Sequence, residues 1–122
     1  MYKWLLISLF ATQAYAHEMT PTYFKLKPSL YDNIYETQLQ LFNKREDVEY
    51  YEVEVYDEEF NPIVFASKDK VFRVPTYSKY VMDVYIRRKD LDEVTYICTS
   101  SKLLKENVGS TGVTSRICSR LK

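Results

Sequence analysis

Along most of this chain apolar and polar residues alternate with period two, the repeat of a strand with one dry face and one wet face. Residues 48–57, VEYYEVEVYD, carry it most clearly. They set Tyr51, Val53 and Val55 on one side and Tyr50, Glu52, Glu54 and Tyr56 on the other. Residues 34–42 repeat the pattern, with Tyr35, Thr37, Leu39 and Leu41 inward and Glu36, Gln38 and Gln40 outward. Residues 79–87 place Tyr80, Met82, Val84 and Ile86 on one face and Asp83 and Tyr85 on the other. Shorter strands are predicted at 23–27, 62–65, 71–74, 94–100 and 113–121, with Pro28, Pro62 and Pro75 as boundaries. Residues 17–22 read as a leader into the fold, 43–47 as a polar hairpin loop, 57–61 as an acidic turn and 88–93 as a charged turn. Residues 103–112 form a loop holding both glycines. No segment carries a helical period. Seven or eight short strands spaced roughly ten residues apart predict an antiparallel all-β sandwich or barrel.

The first sixteen residues read differently, as a cleaved signal peptide. Lys3 supplies the positive start, residues 4–11 (WLLISLFA) an apolar run too short to span a bilayer, and Ala14-Tyr15-Ala16 the cleavage site. Cleavage leaves a single domain, 17–122, beginning at His17, exported to the periplasm or beyond and free of the membrane. In an oxidising compartment the two cysteines, Cys98 and Cys118, are expected to form one disulfide.

The whole chain has 17 basic and 17 acidic residues. That balance argues against a nucleic-acid partner, which needs a basic surface. The charge is uneven. Residues 46–59 hold eight acids, whereas residues 100–122 hold five bases against the single acid Glu106. The reading is two solvated faces, or ends able to associate with one another.

Residues 91–98, LDEVTYIC, resemble the corner entering the sixth strand of immunoglobulin-like domains. There a tyrosine two residues before a cysteine ties the corner to upstream backbone. The resemblance implies an immunoglobulin-like sandwich. The bridge between sheets found in antibody domains is excluded, because no cysteine lies on the second strand. Cys98 is left to pair with Cys118. Two orientations follow. Turning both cysteines inward also turns Arg116 and Arg120 inward, which buries unpaired charge. Turning Ile97, Val113 and Ile117 inward leaves the cysteines outside with the arginines, the favoured arrangement. An irregular C-terminal segment is a third.

The segment order over residues 21–101 is similar to the N-terminal domain of periplasmic pilus chaperones. The similarity rests on the proline-flanked first strand, on LFNKREDVEYYEVEVYDEE and on the Val74-Pro75 break before the long strand at 79–87. Those chaperones have two domains and grip a subunit's C-terminus with a basic pair in the interdomain cleft. This sequence reads as one domain, so no binding residue carries over. HEMTPTY, LFNKREDVEYYEV and SRICSRLK also resemble small, signal-bearing, uncharacterised proteins of marine bacteriophages, which implies export by a bacterial host.

Chemistry is sparse. His17 is the one histidine, so any Ser-His-Asp or Cys-His mechanism would need it as base, and at a mobile terminus it serves poorly. Asp57-Glu58-Glu59 are adjacent turn residues without the cleft that glycosidase carboxylates need. The reading is not an enzyme and no cofactor. After cleavage His17 does pair an α-amine with an imidazole, a bite suited to Cu(II), with the Met19 thioether nearby for Cu(I). A copper-binding protein is therefore the second functional reading. Secreted copper proteins that begin with histidine resemble this, but use at least one further histidine. The first reading is a protein-binding module. Tyr50, Tyr56 and Tyr85 are predicted on outer faces, where tyrosine gives contact area at small entropic cost, and an open sheet edge could add a partner's strand. A structural subunit of a larger assembly is the third.

Overall fold

The computed structural model describes residues 17–102 and 114–122. The leader with its cleavage site, the 103–112 loop and the inward Val113 of the sequence reading lie outside the described residues. The described chain forms β1 (Glu18–Thr20), β2 (Tyr23–Phe24), β3 (Lys27–Pro28), β4 (Ile34–Phe42), β5 (Tyr50–Tyr56), β6 (Val71–Arg73), β7 (Lys79–Arg87), β8 (Tyr96–Lys102) and β9 (Arg116–Leu121), with one 3-10 turn at Arg88–Asp90.

Two sheets face one another. In the first, β7 pairs with the whole of β4, and β1 and β3 lie end to end along the other side of β4. The second runs β2-β9-β8-β5-β6. All pairings are antiparallel except β2 with β9. The core is what the alternation dictates. Leu39, Leu41, Met82, Val84 and Ile86 from the first sheet meet Tyr51, Val53, Val55, Phe72 and Ile97 from the second, all buried. Because the side-chain period is two, a slip of one residue would turn every one of these into water, so burial fixes the register.

Four expectations are corrected. The predicted strand at 23–27 is divided: β2 joins the second sheet and β3 the first. Residues 17–22 are no mere leader, since β1 pairs with β4, and the chain changes sheets through the cis Thr20–Pro21 peptide. The polar run at 43–47 is not a hairpin loop, because β4 and β5 belong to different sheets and the run crosses between them. Residues 62–65 form no strand. Pro62 and Ala66 make isolated bridges to Tyr56 and Tyr85 as the chain crosses from the second sheet to the first.

Cys98 and Cys118 lie opposite each other on β8 and β9 and are bonded. Ile97 packs in the core and Ile117 against it, while Arg116 and Arg120 stay exposed. The favoured orientation therefore holds. Cys98 is nevertheless buried, because the outer face of the second sheet is covered. A disulfide closing a loop of this length is worth about 3 kcal/mol in the chain-entropy account.

Candidate functional site

The cover over the disulfide is an aromatic and cationic stack. Phe60, in the left-handed region at φ 65°, folds back from the acidic turn onto Tyr96, with ring centroids 4.5 Å apart and nearly parallel planes. It also meets Tyr56 at 5.6 Å. The Arg116 guanidinium lies 5.4 Å from the Tyr56 ring centroid and 5.2 Å from that of Phe60. Arg120 sits over Tyr96 and donates to its hydroxyl at 2.7 Å. Tyr96 thus points outward to an arginine, which corrects the expected tie from its hydroxyl to upstream backbone. Tyr56 is on the outer face, as read, yet it is buried under this stack and donates to Glu54.

The three tyrosines do not form one surface. Tyr50 and Tyr56 lie on β5 in the second sheet, whereas Tyr85 lies on β7 in the first, opposite Glu36. The charged halves of the sequence are likewise neighbours within one sheet. Glu52 on β5 meets Lys102 on β8 at 3.2 Å, and Glu49 meets Arg73 at 2.9 Å. Such exposed pairs contribute little stability, but they do give the acidic segment basic neighbours inside its own sheet.

At the opposite end of the sandwich lies a polar cluster with no local signature in the sequence. His17 is buried, not mobile. Its Nε2 is 3.2 Å from the Thr99 carbonyl and 2.9 Å from Thr99 Oγ1, and its Nδ1 is 3.1 Å from Ser115 Oγ. A carbonyl only accepts, so Nε2 carries the hydrogen and Nδ1 accepts from Ser115. Thr99 Oγ1 in turn donates to Met19 Sδ at 3.5 Å. The His17 imidazole and the Met19 thioether proposed for copper therefore both meet Thr99, and both ring nitrogens engage protein groups. Among the described residues no group of three or more His, Cys, Asp or Glu side chains gathers as a metal centre. Burial, and then the nearby Arg45 charge, hold the imidazole pKa down to about 4, against a favourable contact with the Thr99 carbonyl. Arg45, itself buried, forks onto both oxygens of Asp47 at 2.8 and 2.6 Å. The hydrogen bond and charge of Arg45 keep the Asp47 carboxyl below its ordinary range.

The remaining feature is the margin of the first sheet. Ser78 C=O accepts from Asn43 N–H, and Tyr85 exchanges hydrogen bonds with Ala66 on the side away from β4. Even-numbered residues of β7 therefore bond to β4, and odd-numbered ones present N–H and C=O to the outside. Ala66 occupies Tyr85. Over residues 79–83 no strand pairs with that outer edge among the described residues. Val81 is half exposed at its centre, between exposed Lys79 and Asp83. Asp83 accepts from Gln38 Nε2 at 3.0 Å. Behind the edge, Tyr80 stacks on Phe72 at 4.2 Å and ties β7 to β6 of the other sheet.

This layout has counterparts among solved structures. The E. coli chaperone DraB matches with a TM-score of 0.64 and 14% identity, over 87% of this chain and 53% of that one. The fold is an immunoglobulin-like β-sandwich. The PapD-like domain 7 of human CEP192 matches over 100% of this chain and 96% of its own, with a TM-score of 0.52 and 10% identity. The chain spans about half the length of DraB. No protein-family model and no curated protein matches the sequence.

Proposed function

We propose that the chain is an exported interaction module that takes up an extended segment of a protein by strand addition to β7. The observation that carries this reading is the open edge at residues 79–83, rigidly backed by β4 and by the Tyr80–Phe72 stack. Strand addition draws affinity from backbone hydrogen bonds and specificity from alternate side chains, and Lys79, Val81 and Asp83 are the side chains that would read a partner's outer face. The leader at 1–16 and the Cys98–Cys118 bond support export. The two PapD-like neighbours, one titled a chaperone, support a binding role over a catalytic one.

A photo-crosslinking side chain placed at Val81 tests this in the exporting cell. Adducts should form from Val81 and disappear when Asp83→Pro removes an outward N–H. Adducts from Glu52, on the outer face of the other sheet, with none from Val81, would move the interface off this edge.

A further inference from the structure

Resting on that reading of the β7 edge, we infer that it pairs with the same edge of a second copy of this chain, antiparallel and centred on Val81.

The open window decides the register. It is bounded on one side by Tyr77, whose N–H is taken by the Asn43 carbonyl, and on the other by Tyr85, taken by Ala66. Its midpoint is Val81. A two-fold axis through Val81 uses the full window of both copies, and Val81, an odd residue, directs its N–H and C=O outward. Two such residues face to face form the hydrogen-bonded type of antiparallel pair. The same axis sets Lys79 opposite Asp83 of the second copy, and Asp83 opposite Lys79 of the second copy. Each again faces outward with both backbone groups.

Charge therefore complements in this register. The two opposite-charge cross-strand pairs flank a Val81–Val81 contact, and that contact buries a side chain otherwise half exposed. A slip of two residues sets Lys79 of each copy against Val81 of the other and leaves both Asp83 side chains without an opposite charge. On the inner side Tyr80 would stand opposite Met82 of the second copy, extending the first sheets into one. Isologous pairing of this kind closes after two copies, because each edge is used once. The window is short, so the dimer is weak and assembles in the micromolar to millimolar range.

Sedimentation velocity over a concentration series up to about 1 mM tests it. The wild-type chain should pass from monomer to dimer. Lys79→Asp turns both flanking pairs repulsive and should weaken the dimer on the order of tenfold. The doubly exchanged Lys79→Asp, Asp83→Lys chain restores opposite charges at both pairs and should recover the wild-type constant to within about threefold. All these side chains are exposed, so the fold is not at stake. A monomer at every concentration overturns the inference, as does a dimer that ignores the single exchange or is not recovered by the double one. If Val81 crosslinks to a different protein while the chain stays monomeric, the second copy is ruled out and the edge reading survives.

Discussion

Replacing Asn43 with alanine lowers the unfolding free energy by about 4 kcal/mol. Asn43 is fully buried where the chain crosses between the sheets. Its amide nitrogen donates to the carbonyls of Val48 and Val74, both at 2.8 Å. Its amide oxygen accepts from the Arg45 N–H at 2.9 Å and from the Tyr51 hydroxyl. One side chain thus closes the connection from β4 to β5, the end of the β6 segment and a core tyrosine. Alanine orphans all four groups, each costing about 1–3 kcal/mol when buried without a partner, and water reaching the cavity recovers part of this. Such a loss is a large fraction of a domain's usual margin. Urea unfolding followed by far-UV circular dichroism reads it. A loss below about 1 kcal/mol would mean that the crossing is held elsewhere.

Acid weakens the fold through His17. In the unfolded chain the imidazole titrates near its ordinary 6.5, whereas in the fold it titrates at about 4. Between these values the unfolded chain takes up a proton that the folded chain refuses, so stability falls as pH falls. Nothing is lost above the upper value. From pH 7.5 to 4.5 the loss is on the order of 2 kcal/mol. The groups around His17 sharpen the effect. Arg45 repels the imidazolium, the Tyr51 ring lies 4.7 Å away, and the nearby carboxylate, Asp47, is held by Arg45. Carboxylates elsewhere also titrate in this window, so the comparison is with His17→Gln. That variant is less stable at neutral pH, but should lose less than wild type over the same interval, by on the order of 2 kcal/mol. Equal pH dependence in the two chains would show that His17 does not sense the proton.

How far the sequence could be read depended on the range of the signal. Strand alternation is local, so β4, β5 and β7 and their inward faces were legible almost residue by residue. The cysteine orientation was legible for the same reason, since Arg116 and Arg120 share a face with Cys118. Which sheet a strand joins is not local. Period two cannot say that Tyr50 and Tyr85 belong to opposite sheets, nor that β2 and β3 part company two residues after Phe24. Burial of polar groups was the hardest to see. Asn43 and Arg45 sit in a hydrophilic run, and only the crossing between sheets brings Val74, Ser101 and Tyr51 around them. His17 meets Thr99 from 82 residues away. Nor does a phenylalanine announce the left-handed backbone that lets Phe60 fold over Tyr56 and Tyr96, a conformation that glycine or asparagine would have signalled.

The outer edge of β7 is open and ready to pair. Amide hydrogen exchange by NMR in dilute protein measures this directly. Tyr80, Met82 and Val84, bonded to β4, should be protected, as should Tyr85, bonded to Ala66. Lys79, Val81 and Asp83 should exchange fast between them. Equal protection of odd and even amides across residues 79–83 in the monomer would mean that the edge is already occupied, and would contradict the account.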